Sequence, residues 1–145
     1  MRLWHIDIIP YLPNSQLVAQ WRELNSIYAK QDNHILINYI YDYPLEYLYI
    51  YSLKVLDELE NRNINVKSYD KFNIMFHTTF GKPIDLNLRY EEHDNEYLTI
   101  CYYNLKEKYT RHQKDFTKEI FEKLYNFYLT KNKIMCYNMK KRIKE

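Results

Sequence analysis

Most residues of this chain that could do chemistry are excluded by their number or spacing. Cys101 and Cys136 are the two cysteines. They are too few for a disulfide framework and have no CxxC spacing, so they read as reduced core thiols. The five histidines, His5, His34, His77, His93 and His112, show no HExxH or comparable ligand spacing, so no metal site is expected. A single glycine rules out a Gly-rich loop that cradles phosphate. What remains is a polar stripe, Gln16, Gln20 and Glu23, with Arg22 beside it, and the basic segment KNKIMCYNMKKRIKE at 131–145. A carboxylate beside a cation can serve acid–base chemistry, although the same pair on a helix is ordinarily a solvated face. The basic segment sets six cations against Glu145 and leaves a net −3 on residues 1–130 within a total of +2. It suits a solvated helix end as well as a nucleic-acid contact.

The elements that must position these residues follow from composition and periodicity. With 145 residues, 46% of them hydrophobic and 17% aromatic, the chain can bury one real core and is too short for two. One Gly and four Pro supply too few turns for a many-stranded sandwich or barrel. RLWHIDII is a short apolar segment that ends at Pro10. Asn14 is expected as an N-cap, followed by a helix over 14–30 with Leu17, Trp21, Leu24 and Tyr28 inward and the Gln16–Gln20–Glu23 stripe outward. Asp42 and Pro44 open a second helix, whose Leu45, Leu48, Tyr49, Leu53, Leu56 and Leu59 recur at helical period to a stop near Asn61–Asn63. Residues 64–95 read as an irregular connection with a short strand at IMFHTTF and a turn at GKPID. Leu98, Cys101, Tyr102, Leu105 and Tyr109 predict a third helix, with Asn104, Lys108 and Arg111 on its other side. Asp115 is expected to cap a fourth, in which Ile120, Phe121, Leu124 and Tyr128 face inward. The fold class is mainly α: a single compact domain, 1–145, of three to four helices with irregular connections. Residues 131–145 are left as a helix end or a flexible basic tail. No apolar run approaches the roughly 20 residues of a membrane span, and MRLWHIDIIP lacks the layout of a signal peptide. A soluble, cytoplasmic monomer with no membrane partner is the expectation.

Three segments, in order, carry a resemblance. YLPNSQLVAQWREL resembles the first helix of the pyrimidine-dimer DNA glycosylases of the bacteriophage endonuclease V type, through Gln16-Leu17 and Trp21-Arg22-Glu23-Leu24. PLEYLYIYSLKVLDELENRNINVK is similar to that family's second helix in length and in its closing Arg-x-x-Asn-aliphatic-Lys. NEYLTICYYNLKEKYTR is similar to its third around Leu105, Glu107 and Lys108. The opening MRLWH also resembles the start of bacterial members.

The resemblance implies a DNA-repair glycosylase with abasic-site lyase activity on double-stranded damaged DNA, the lesion being a cyclobutane pyrimidine dimer, with no metal or organic cofactor. It implies that an N-terminal α-amine attacks the sugar carbon bearing the damaged base and forms a Schiff base, after which β-elimination cuts the strand. An imine acidifies the neighbouring sugar proton, and an α-amine, ordinarily with a pKa near 8, is partly neutral at physiological pH. Glu23 stands where the family has its catalytic glutamate. Arg22 and Lys108 stand at DNA-contacting positions, and Arg2 and Gln16 join them as residues expected to position DNA. In the family the amine belongs to a small residue exposed by methionine removal, whereas here Arg2 follows Met1. Two outcomes stay open: Met1 supplies the amine, or the covalent chemistry is lost. Ser26 and Asn104 stand where the phage type carries basic residues, which implies fewer phosphate contacts and weaker salt dependence. His34 matches a family histidine and suits a loop-capping role equally well. The competing functions are a glycosylase or lyase for another modified base or an abasic site, and a non-catalytic helical module that binds nucleic acid or protein.

Overall fold

The computed structural model describes residues 1–144, with side chains for 1–134 and 141. A 3-10 turn, Ile6–Tyr11, is followed by α1 (Asn14–Ala29), a second 3-10 turn (Asn38–Asp42), α2 (Leu45–Asn61), α3 (Asp70–Phe76), α4 (Asn95–Thr110) and α5 (Lys118–Lys144). The mainly α reading holds, and no strand occurs among the described residues. α1 packs on α2 and on α3, and α4 packs on α5. The first 3-10 turn lies between the groups, touching α2, α4 and α5. Leu3, Ile8, Ile9 and Leu12 are therefore fully buried although they belong to no long helix. This turn runs through Pro10 to Tyr11 rather than ending at Pro10. Proline is tolerated there because a short 3-10 turn needs few internal N–H donors.

The expected strand at IMFHTTF is instead the end of α3 and the turn after it. Phe72 and Phe76, four residues apart, share one helix face. Phe72 meets Trp21 and Tyr28 of α1 with centroids at 6.2 Å, while Phe76 meets Tyr28 at 5.3 Å and Tyr49 of α2 at 5.2 Å. Burial of two rings outweighs the local strand preference of a β-branched, aromatic stretch. The GKPID turn holds, with Gly81 at φ +80°, a left-handed value that suits glycine.

Both long central helices end in the same way. Asn63 (φ 57°) after α2 and His112 (φ 62°) after α4 adopt left-handed backbone. The next N–H in each case reaches five residues back, Ile64 to Leu59 and Gln113 to Lys108, and satisfies a carbonyl that the helix end would orphan.

Two expected caps are exchanged. Asn14 is the first helical residue and not the cap of α1, and its Oδ1 accepts from Arg62 Nη1 at 3.0 Å. Asp115 does not cap α5. Its carboxylate reaches 100 residues back to accept from Ser15 N–H at 2.6 Å and from the Ser15 hydroxyl at 2.8 Å, so it closes the N-terminus of α1. Thr117 Oγ1 accepts from Ile120 N–H at the start of α5. A third correction concerns Gln20, which was placed outward and is 1% exposed, because the N-terminal segment lies across that part of α1. The α5 backbone takes in the basic segment as far as Lys144. Cys101 is a buried free thiol, as read from the sequence, whereas Cys136 lies outside the residues whose side chains are described.

Candidate active site

Residues 2–7 form the inner wall of the site. Leu3, Trp4 and His5 are buried, so the backbone between them has no water to bond and every polar group needs a partner. The partners are mostly side chains, drawn from the surrounding elements. Gln20 of α1 accepts from Trp4 N–H at 2.8 Å and donates to Arg2 C=O at 3.2 Å. Tyr51 of α2 donates to Trp4 C=O at 2.7 Å, and Tyr97 of α4 donates to Leu3 C=O at 2.5 Å. His93, just before α4, accepts Ile6 N–H on Nδ1 at 3.1 Å, and His5 Nδ1 accepts Asp7 N–H at 3.1 Å. The segment is a tether held at successive residues, and Met1 projects from its end, 38% exposed.

His93 is satisfied at both ring nitrogens, since Nε2 meets the Tyr39 hydroxyl at 2.8 Å. An Nδ1 that accepts a backbone N–H carries no proton, so Nε2 carries it and the ring is neutral. Burial, with the His5 ring and Arg89 acting in the same direction and Asp7 against them, pulls the His93 pKa down to about 3. His5 stacks near it, with centroids 5.4 Å apart, and is likewise lowered, chiefly by burial.

Glu23 stands one turn after Gln20 and is half-buried. Gln20 Nε2 donates to its Oε2 at 3.3 Å. Burial raises the Glu23 pKa above the ordinary 4.5, while the N-terminal charge and the Arg22 guanidinium pull against that rise. The amine at the end of the tether and this carboxylate therefore feel each other's charge. A carboxylate so placed takes up a proton more readily than one in open solvent, which suits a proton-transfer role.

The remaining residues singled out in the sequence are spread more widely. The Arg2 guanidinium lies over two rings, 5.8 Å from Tyr97 and 6.0 Å from Trp4, so much of it is engaged within the protein. Arg22 is exposed and borders a groove of about 470 Å³ with Val18, Trp21, Leu59, Ile64 and Val66 on its walls. Gln16 lies two turns before Glu23 on the same face of α1, roughly 10 Å along the axis at 1.5 Å per residue. Its amide donates to Gln113 Oε1 at 3.1 Å. Lys108, in the last turn of α4, is tied to the same corner through its carbonyl, which accepts from Gln113 N–H at 3.0 Å. Met1, Gln20 and Glu23 thus form one group with Arg22 at its edge, and Gln16 lies apart at the N-terminal end of α1, where Gln113 links it to the end of α4 that carries Lys108. His34 caps its own loop, its Nδ1 accepting from Leu36 N–H at 3.2 Å. Among the described residues, no three His, Cys, Asp or Glu side chains converge to hold a metal ion.

Gln20, Tyr51, Tyr97 and His93 are the residues that sequence reasoning missed. Gln20 carried one usable signal, a polar residue only one turn from the buried Leu17 and Leu24. The other three are lone aromatic residues with no pattern to mark them.

The family described as pyrimidine dimer DNA glycosylase matches residues 1–72, a span that covers the tether, α1, α2 and the beginning of α3. No curated protein and no solved structure matches the chain.

Proposed function

We propose, for a chain that belongs through residues 1–72 to the pyrimidine dimer DNA glycosylase family, that the amine of Met1 is the nucleophile of a combined glycosylase and abasic-site lyase reaction and that Glu23 is its carboxylate partner. The observation that carries this reading is the pairing of a multiply anchored N-terminus with a half-buried carboxylate whose charge responds to it. An α-amine needs no removal from solvent to be nucleophilic. It needs a fixed approach and a neighbouring base.

The steps need only groups of the chain and water, which protonates the departing base and finally hydrolyses the imine. The neutral amine attacks C1′ of the damaged nucleotide, the C1′–N bond breaks with its electron pair leaving on the base, and the base takes up a proton. The Glu23 carboxylate takes the excess proton of the attacking amine and passes it to O4′ as the C1′–O4′ bond breaks, and the nitrogen lone pair closes a protonated imine. The Glu23 carboxylate then removes a C2′ proton, the electrons form the C1′–C2′ enamine system, and the C3′–O bond breaks to release the 3′ phosphate. Glu23 also stabilises the positive charge that develops at the sugar before the imine forms. Exposing C1′ requires the duplex to kink or a nucleotide to leave the stack. That deformation costs a few kcal/mol, less at a damaged and poorly stacked site, so deformability contributes to selectivity. Arg22 at the rim, with Gln16 at the N-terminal end of α1 and Lys108 near the end of α4, is assigned to the DNA backbone. Arg2 is assigned a lesser part because its guanidinium is held over Trp4 and Tyr97.

The test is borohydride trapping with tag-free protein on duplexes carrying one cyclobutane dimer, one abasic site, or neither. An adduct on the dimer duplex, mapped by mass spectrometry to Met1, is expected. Glu23→Gln should lower turnover by about a hundredfold or more while leaving DNA affinity within about 1 kcal/mol. An adduct on the abasic duplex alone would restrict the protein to lyase chemistry. No adduct on any duplex by a folded, DNA-binding protein would refute the reading.

A further inference from the structure

We propose that Gln20 is a positioning residue of this reaction, holding the N-terminal amine and the Glu23 carboxylate in mutual register by bonding to the tether of one and to the acid group of the other. The inference rests on the assignment of Met1 and Glu23 made above.

The orientation of the Gln20 amide is fixed by its partners. Trp4 N–H can only donate, so the atom 2.8 Å from it is the amide oxygen. The NH2 group then faces two acceptors, Arg2 C=O at 3.2 Å and Glu23 Oε2 at 3.3 Å. The Tyr51 hydroxyl, on a ring 1% exposed, bonds Trp4 C=O at 2.7 Å and turns the minor share of its one proton toward this oxygen at 3.1 Å. Three bonds and the shared Tyr51 contact engage both ends of a side chain that is itself 1% exposed. Such a side chain has one available geometry, and rotating it would leave several buried groups unpaired.

The bonds to Arg2 and Trp4 would explain a purely structural glutamine. The bond to Glu23 is the additional feature. A neutral donor stabilises the ionised carboxylate without cancelling its charge, so Glu23 stays available to the sugar cation and to the C2′ proton. An arginine or lysine at position 20 would instead form an ion pair and compete with both. The lever arm is also short. The anchoring starts at Arg2 C=O, so only the backbone torsions of Met1 and Arg2 separate the first fixed atom from the amine. A nucleophile confined in this way approaches a bound C1′ with a high effective concentration, and freeing the tether would forfeit that advantage without touching Arg22, Gln16 or Lys108.

The experiment measures single-turnover imine trapping on an abasic-site duplex from pH 4.5 to 8, with DNA affinity measured in parallel, for the parent, Gln20→Met and Gln20→Glu. Methionine fills similar space with no donor or acceptor. Glutamate keeps an acceptor for Trp4 N–H and loses the amide donors to Arg2 and Glu23, which guards against a methionine variant that does not fold. The expected result is a trapping rate lowered by about tenfold or more in each folded variant, with affinity unchanged within about threefold. The acid limb should move to higher pH in both, because Glu23 loses a bond to its charged form and in Gln20→Glu also gains a like-charged neighbour. A folded variant with the parental rate and acid limb overturns the proposal. A rate that falls only in step with affinity, with the acid limb unmoved, also overturns it, since that is the behaviour of a scaffold residue. A folded, DNA-binding parent that traps no imine overturns the Met1 assignment itself, and the inference with it.

Discussion

Acidification from pH 7 to pH 5 should cost this fold about 2 kcal/mol through His93 alone. The ring is 3% exposed, accepts Ile6 N–H on Nδ1 and meets Tyr39 on Nε2, so a second ring proton would point at a backbone donor inside the core. The groups around it are His5, Asp7, Arg89, the Tyr39 hydroxyl and the rings of Tyr51, Tyr90 and Tyr97, and burial dominates in lowering its pKa to about 3. An unfolded chain titrates the same residue near 6.5. Between these values the unfolded state holds one proton more than the folded one, so stability falls as the pH falls. At pH 5 the unfolded ring is about 1.5 units below its own pKa, and 1.36 kcal/mol per unit gives about 2 kcal/mol, nearly all of it absent at pH 7. The assay is urea unfolding at pH 7, 6 and 5 for the parent and for His93→Asn, whose side-chain oxygen can take over the bond from Ile6 N–H. Carboxylates titrate alike in both proteins and cancel in the comparison. The parent should lose about 2 kcal/mol more than the variant across this range. Equal losses in the two proteins would refute the argument.

Three further predictions follow from other contacts. Asp115→Ala should destabilise the fold by about 1 kcal/mol in thermal or urea unfolding, because the Ser15 N–H at the start of α1 loses its carboxylate. In Asp115 itself, desolvation pushes the pKa up but is outweighed by bonds from Gln113 and Ser15, so it lies below the ordinary 3.8. The stabilisation by Asp115 is therefore complete above that value and fades as pH drops through the lowered one, as an unfolding series from pH 5 downward can check. Arg62→Met should cost about 2–3 kcal/mol, since Nη1 and Nη2 reach the carbonyls of Leu12 at 2.6 Å and Pro10 at 3.0 Å and Nε pairs with Glu58 at 2.8 Å. Phe72→Ala should cost about 3–5 kcal/mol in the same measurement, because the ring packs against Trp21, Tyr28, Tyr49 and Phe76.

The helices with wide apolar faces were legible in the sequence, and the parts set by distant partners were not. α1, α2 and α4 follow from residues such as Leu17 and Leu24, Leu48 and Leu59, or Leu98 and Leu105, whose spacing needs no knowledge of the rest of the chain. α3 is short enough that two phenylalanines decide it, and Phe76, the one within IMFHTTF, reads as a strand residue until Tyr28 and Tyr49 are placed beside it. Asp115 is a good cap in any setting, but its local sequence cannot say that the helix it caps begins at Asn14 and not at Lys118. Gln20 was misread because periodicity assigns faces by polarity. A glutamine that faces a peptide segment and one that faces water have the same pattern.

Glu23 and Met1 are thus proposed on resemblance, whereas the contacts that Gln20 makes between the tether and Glu23 emerge only from the packing. The anchoring of the tether as a whole spans more of the chain than the family match does. Gln20, Tyr51 and Glu23 lie within residues 1–72, whereas Tyr97 and His93 lie beyond them. Without the second half, Leu3 C=O and Ile6 N–H would lose their partners, and the Ser15 N–H of α1 would lose Asp115. Each is a buried or helix-terminal group whose loss costs about 1 kcal/mol or more. The amine itself would still be present, attached to a tether free to leave Glu23. The proposed reacting pair, whose atoms lie in the first half of the chain, thus depends for its geometry on α4 and on the corner between α4 and α5.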